Sequence, residues 1–318
     1  MPELPEVEVV RAGLAPAVSG ARVASVTIFD GRSLRRHLGP SEDFVQRLTG
    51  RTLQLAVRRG KFLWFPLVGG DRPEALVVHL GMSGQVLLRD RHTDDALTRI
   101  RLDIDHPSLG PLRLNFVDQR IFGSMAIDAL VPTPDGHPGG FGGATLVSSA
   151  SASAKLDGFL DAPATTLLPS QVAHIARDPL DPAFDDALFF RRLAARKTGI
   201  KRAILDQTLI SGIGNIYADE ALWAARIHFD QSTTALSRPR AKQLLAEVRA
   251  VLARALLEGG TSFDAQYVNV NGASGYFAHS LNAYGQQGKA CPRCGRMIVR
   301  ETFMNRGSHF CAFCQRRR

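Results

Sequence analysis

The sequence predicts an α+β protein: one helix and a strand-rich first part, then helices, then a small four-cysteine ribbon. Three observations carry this. Short β-rich runs repeat between residues 22 and 116, apolar residues recur at helical spacing beyond Pro182, and all four cysteines fall in one paired motif near the C-terminus. At 318 residues the chain is long enough for two domains with cores of their own.

The opening helix follows from Pro5, which suits a first helical turn, from Glu6 and Glu8, which suit its dipole, and from Gly20 at the exit. Val7, Val10, Leu14 and Val18 give it one buried face. Seven strand-like runs follow, at 22–29, 52–57, 61–67, 75–80, 85–88, 100–104 and 112–116, broken by Gly, Pro and Asp. That spacing predicts an antiparallel sandwich. Residues 133–170 are dominated by Gly, Ala, Ser, Thr and Pro, as in Gly139-Gly140-Phe141-Gly142-Gly143, and read as a flexible insertion. The clearest helix is 240–258, where Leu244, Leu245, Val248, Val251, Leu252, Ala255 and Leu256 form one core stripe that stops at Gly259-Gly260.

No run of eighteen apolar residues appears, and the N-terminus lacks a basic segment followed by an apolar core, so the expected location is the cytoplasm, without a membrane partner. The net charge of +9 points to a polyanion. It is concentrated in the tail, where Lys289, Arg293, Arg296, Arg300, Arg306, Arg316, Arg317 and Arg318 face a single acid, Glu301. A second acid-free cluster runs Arg191, Arg192, Arg196, Lys197, Lys201, Arg202. Either could also be a merely solvated basic face.

Cys291-x2-Cys294 and Cys311-x2-Cys314 put four thiolates on two tight turns, the cage that Zn²⁺ favours, with two disulfides as the alternative. Four thiolates close the coordination shell, so the expected zinc is structural. Met297-Ile298-Val299 and Phe303 fit the strands of the ribbon. Upstream, Ser211-Gly212-Ile213-Gly214-Asn215-Ile216 lies between helical stretches; its glycines permit a tight turn, Asn215 suits an N-cap, and the turn amides could hold a phosphate. The same stretch is equally readable as a generic helix–turn–helix.

Met1 followed by Pro2 predicts removal of the methionine, leaving a free secondary amine. A free α-amine has an ordinary pKa of roughly 7.7–8.0, against about 10.4 for lysine, so far more of it is unprotonated near neutrality. Such an amine can attack a sugar C1′ and form an iminium. Glu3 could then move protons around the opening sugar. Alone, the pair is unremarkable, since many proteins begin this way.

The combination is specific. Met1-Pro2-Glu3-Leu4-Pro5-Glu6-Val7-Glu8, Arg59-Gly60-Lys61-Phe62, His79-Leu80-Gly81-Met82-Ser83-Gly84, Asp118-Gln119-Arg120-Ile121-Phe122-Gly123, Gly212-Ile213-Gly214-Asn215-Ile216-Tyr217-Ala218 and the cysteine ribbon occur in this order. Together they closely resemble the formamidopyrimidine-DNA glycosylases, over nearly all the chain except 133–170. The resemblance implies a two-sheet β-sandwich domain with an N-terminal helix at 1–132, an insertion at 133–170 and a helix–two-turn–helix domain at 171–265. A lesion-covering loop at 266–284 and a zinc ribbon at 285–318 complete it, with duplex DNA bound between the lobes by a monomer in the bacterial cytoplasm or nucleoid.

It also implies roles. Pro2 is the Schiff-base nucleophile, Glu3 the catalytic acid, Lys61 the lysine assisting β-elimination, and Arg306 the ribbon arginine linked to δ-elimination and phosphate. Asn215 holds backbone phosphate, and Arg196 and Lys201 belong to the strand-binding surface. Met82, Arg120 and Phe122 fill the space left by an extruded base. The implied activity is excision of oxidised purines (8-oxoguanine and formamidopyrimidines) followed by cleavage at the resulting abasic site. Gln119 and Ile121 depart from the proline and second arginine common beside Arg120, and Leu97 stands near a frequent histidine, for which Arg99 is the candidate substitute. Two alternatives remain: an endonuclease VIII-like enzyme for oxidised pyrimidines, and a non-catalytic zinc-ribbon DNA-binding protein.

Overall fold

The computed structural model describes residues 2–142, 166–260 and 277–317. They fall into two compact units, one comprising Pro2 and residues 6–174, the other residues 3–5, 175–260 and 277–317 among those described. The central part of the insertion (143–165) and most of the expected covering loop (266–276) lie outside the described residues.

In the first unit, α1 (Leu4–Val18) buries Val7, Val10, Leu14 and Val18, as its spacing requires. Strands β1 (Arg22–Ile28), β2 (Thr52–Leu53), β3 (Val57–Arg59), β4 (Phe62–Val68), β5 (Glu74–His79), β6 (Gly84–Asp90), β7 (Thr98–His106) and β8 (Gly110–Asp118) realise the predicted runs. The run at 52–57 divides in two. Both pieces pair with β4, but the register slips by one residue between Leu53↔Leu67 and Val57↔Trp64, so the strand is broken by a bulge. Two further strands, β9 (Ser124–Pro132) and β10 (Leu167–Pro169), and the short helix α2 (Ser41–Leu48), are additions that the sequence pattern did not mark.

The strand order β10-β9-β5-β4-β2-β1-β7-β8-β6 is one continuous path, with β3 beside β4. Its halves are joined by the single pair Arg22↔Thr52. Leu63, Phe65, Leu76, Val78 and Ile127 from one half share a core with Val23, Ile100, Leu102, Leu114 and Phe116 from the other, and with Phe44 and Leu48 of α2. The predicted sandwich therefore has its two layers connected. The stretch 133–170 is structured at both ends: β10 pairs with β9, and Phe141 pairs with Arg58. It is a narrower insertion than its composition suggests.

The second unit contains α3 (Asp186–Ala194), capped by Asp185, α4 (Ile200–Leu205), α5 (Asn215–Ala224), α6 (Arg238–Leu257) and the hairpin β11 (Val299–Phe303) and β12 (Arg306–Phe310). The α6 stripe packs on α3, α4 and α5 as predicted. Phe303 and Phe310 join that same core, each burial stabilising by about 1.5–3 kcal/mol. Ribbon and helices thus form one unit. Among the described residues, no helix is long and apolar enough to cross a membrane.

Candidate functional site: an N-terminal acid, a buried ion network, a thiol cluster and two display loops

Glu3 is 1% exposed, and its carboxylate lies at the start of α5. It accepts hydrogen bonds from the backbone amides of Gly214 (2.5 Å), Ile216 (2.9 Å) and Tyr217 (3.4 Å). Amides that a helix leaves unpaired at its N-terminus are thereby satisfied, by an anion placed where the helix dipole favours one. The glycines serve this approach: a Cβ on Gly214 would lie 2.3 Å from the Glu3 carboxyl carbon, and one on Gly212 2.7 Å from Leu4. The turn amides expected to hold phosphate are therefore occupied by Glu3. Asn215 is the first residue of α5 and not its cap; its Nδ2 donates to the Gly307 carbonyl at 3.0 Å.

Lys201 departs further from expectation. It is fully buried, its ammonium 2.6 Å from Asp219, and it donates to Ser308 Oγ at 3.0 Å and the Gly307 carbonyl at 3.4 Å. Burial lowers its pKa from the ordinary lysine value, opposed by Asp219. Asp219, 1% exposed, also accepts from the backbone amide of His309 (2.8 Å) and from Ser308 Oγ (3.1 Å). Three successive residues of β12, starting next to Arg306, are thus held from beneath by α4 and α5, while Arg306 itself is exposed. Lys201 underlies the hairpin and does not belong to a basic surface. Arg196 is half-buried and paired with Asp206 at 2.6 Å. Glu220, buried and unmarked by any motif reading, accepts from the amides of Asn282, Ala283 and Tyr284 and so fixes the C-terminal end of the expected covering loop.

The four cysteine sulfurs lie within 4.8 Å of one another, with Cys294 and Cys311 3.5 Å apart and no disulfide. Tetrahedral zinc–thiolate bonds of about 2.3 Å place sulfurs roughly 3.8 Å apart, so the set fits the ion. Burial and the neighbouring Cys294 and Cys311 push the Cys314 thiol up to about 12. At Cys291 burial is outweighed by hydrogen bonds from Trp223 and from the amides of Arg293 and Cys294, and the thiol falls to about 7. Such crowding opposes full ionisation unless a cation shares the cage. Trp223 of α5 donates its indole N–H to Cys291 Sγ at 3.4 Å and carries the Arg293 guanidinium 4.1 Å above its ring, tying the cluster to the helices.

In the first unit Pro2 is buried, and Lys61 is half-buried in the turn between β3 and β4. Neighbouring His79 is lowered to about 4 by burial and by the charges of Arg36, Arg35 and Lys61. A neutral imidazole amid three cations marks a field that an anion would relieve. Met82 (44% exposed), Arg120 and Phe122 (47%) stand on two adjoining loops, 80–84 and 118–124. Asp118, fully buried, joins them by accepting from Ser83 Oγ (2.5 Å) and the amides of Arg120 (3.1 Å) and Gly123 (2.6 Å). Arg35 donates to the carbonyls of Ile121 (2.8 Å), Phe122 and Gly123 (2.9 Å). Leu97 is exposed with φ of 63°, while the partly exposed Arg99 donates to the Asp118 carbonyl at 2.8 Å and so supports a loop.

A β-sheet unit, an H2TH-type helical region and a four-cysteine ribbon define a class of DNA-repair glycosylase. The model of the formamidopyrimidine-DNA glycosylase N-terminal domain matches residues 1–125, that of the H2TH domain of the same enzymes 175–266, and that of the zinc finger found in FPG and IleRS 288–317. The chain belongs to the formamidopyrimidine-DNA glycosylase family. It is 63% identical to the formamidopyrimidine-DNA glycosylase of Leifsonia xyli subsp. xyli over 99% of this chain and 100% of that one. To that of Kineococcus radiotolerans it is 52% identical, over 99% and 97%. Among solved structures it is similar to Lactococcus lactis Fpg in complex with abasic-site DNA (TM-score 0.75, 28% identity, 99% of this chain and 100% of that). It is also similar to MutM in complex with carbocyclic 8-oxo-G DNA (TM-score 0.76, 29% identity, the same coverage).

Proposed function

We propose that this chain is a bifunctional glycosylase and abasic-site lyase that removes oxidised purines from duplex DNA in the bacterial cytoplasm. The observation that carries the reading is Glu3, a buried carboxylate pinned by three amides one residue beyond the amine proposed as nucleophile. A catalytic acid must be held in one place, and these bonds hold it.

In the proposed reaction the Pro2 nitrogen, freed by loss of Met1, attacks C1′ of the damaged nucleotide. The bond from C1′ to the base breaks and the base leaves protonated by solvent. Glu3 takes the proton that the attacking amine loses and delivers it to O4′ as the C1′–O4′ bond opens, and an iminium links protein and DNA. The positive iminium acidifies C2′, and loss of that proton expels the 3′ phosphate, with Lys61 assisting. Arg306 binds phosphate and assists the second elimination. Met82, Arg120 and Phe122 occupy the space of the extruded base, and Arg196 contributes to strand binding. Lys201 and Asn215, which hold the backbone beside Arg306, support it through the hairpin. One zinc bound by Cys291, Cys294, Cys311 and Cys314 would hold the ribbon's shape; no chemical step passes through it.

Borohydride added to the protein on a duplex carrying one 8-oxoguanine should freeze a covalent adduct, which mass spectrometry places on the N-terminus. An adduct on Lys61 instead, or none from a preparation that still cleaves, overturns the assignment. A duplex carrying an oxidised pyrimidine should be cut more slowly.

A further inference from the structure

The stretch Gly139–Gly142 has the composition of a spacer but is held by specific bonds to its neighbours, with Phe141 itself 37% exposed. Phe141 exchanges two backbone hydrogen bonds with Arg58, at 2.8 and 2.7 Å, which adds a fragment of strand to β3 on the side away from β4. Arg59 Nη1 donates to the Gly139 carbonyl at 3.2 Å, and Arg11 Nη1 to that of Gly142 at 3.0 Å. The Phe141 ring lies under the guanidinium of Arg11 at 5.4 Å and of Arg58 at 5.9 Å. Both arginines are buried and share Glu8 of α1, at 2.8 Å and 2.9 Å. The glycines are dictated by contact: a Cβ on Gly139 would sit 2.1 Å from the Leu167 carbonyl oxygen, and one on Gly140 2.5 Å from both the Arg58 carbonyl oxygen and the Trp64 ring.

We propose that Gly139–Gly142 is a positioning strap for the elimination step, with Phe141 as its key residue. By closing over the Glu8–Arg11–Arg58 cluster, it fixes β3 against α1. Two residues beyond Arg59 stands Lys61, on the turn that β3 leads into. A strand held loosely can shift, and a misplacement of about 1 Å at a reacting group can cost on the order of a hundredfold in rate. The strap removes that freedom. Phe141 touches no reacting atom in this scheme; it acts through β3.

The inference rests on the proposed role of Lys61, and one experiment separates the two. Wild type, Phe141→Ala, Phe141→Tyr and a chain with residues 145–163 replaced by a short Gly-Ser linker are compared on a duplex with a preformed abasic site. Single-turnover strand cleavage and borohydride-trapped adduct are both measured. Phe141→Ala should slow cleavage about tenfold while the trapped adduct, no longer drained by elimination, rises at matched times. Phe141→Tyr should restore the wild-type pattern, and the linker chain, which keeps the strap, should match wild type. Parallel falls in adduct and cleavage would mean that Phe141 only stabilises the fold; unchanged cleavage in Phe141→Ala would mean that the strap positions nothing. Either overturns the inference while leaving the nucleophile assignment standing. A wild-type protein that traps nothing at its N-terminus overturns both.

Discussion

The two compact units treat their chemistry-bearing residues in opposite ways. In the first, Met82, Arg120 and Phe122 project from two loops whose backbones are fixed by one buried carboxylate, Asp118. In the second, four charged residues are enclosed: Lys201, Asp219, Glu220 and Glu3 are all at or below 1% exposure, each with partners. The difference separates two tasks. On the proposed reading, residues that enter the DNA need a rigid base and a free side chain. Residues that hold a scaffold in register can be enclosed, because an unpaired charge indoors is so costly that only one arrangement survives.

This contrast predicts its largest effect in the second unit. Asp219→Ala leaves the Lys201 ammonium buried with Ser308, the Gly307 carbonyl and the Phe303 ring but no counter-charge in contact, which should cost about 3–5 kcal/mol in denaturant unfolding. Adding Lys201→Met should return much of that loss, since the uncompensated charge is then gone. A single-mutant cost below about 1 kcal/mol would show that the network carries little and the contrast is superficial.

A second effect belongs to the first unit and depends on pH. His79 titrates near 4 in the folded chain and near 6.5 when unfolded, so between those values the unfolded state binds more protons. Stability contributed at this site is complete above pH 6.5 and is lost as pH falls toward 4, by about 3 kcal/mol in all. His79→Gln should flatten that part of the pH–stability curve. The same slope in mutant and wild type would place the titration elsewhere.

Much of this organisation was legible beforehand, and the failures share a cause. The cysteine spacing, the α6 stripe and the order of motifs depend on neighbours in sequence, and they read true. Glu3 as the cap of α5 does not, because its partners stand more than two hundred residues away. The composition of 139–142 reads as a spacer because glycine serves close backbone packing as well as conformational freedom. The burial of Lys201 is equally hidden, because Lys197 and Arg202 beside it are exposed and nothing local announces Asp219. Helix α2 has only Phe44 and Leu48 buried in eight residues, too few to establish a period.

Asp118→Asn tests the display side. The amide keeps one acceptor oxygen for what were three donors, so about 1–3 kcal/mol of local stability should go. Excision should fall with it, as both loops loosen together. Undiminished excision in a destabilised protein would show that loop rigidity is not what the display residues require.

The smallest effect on stability should be the most selective on function. Arg120 is exposed, and its side chain rests on a backbone already fixed through its own amide, so Arg120→Ala should change unfolding by less than about 0.5 kcal/mol. Unstacking a base costs a few kcal/mol, part of which a wedge can offset by entering the vacated space. A planar guanidinium can in addition hydrogen-bond the orphaned cytosine, which neither Met82 nor Phe122 can do. Single-turnover excision of 8-oxoguanine opposite cytosine should therefore drop in Arg120→Ala. Cleavage of a preformed abasic site, where no damaged base must be displaced, should fall much less. If both substrates lose equally, Arg120 is an ordinary phosphate contact. The display loops would then bind DNA as a charged surface does, and the functional half of the contrast between the two units would not hold.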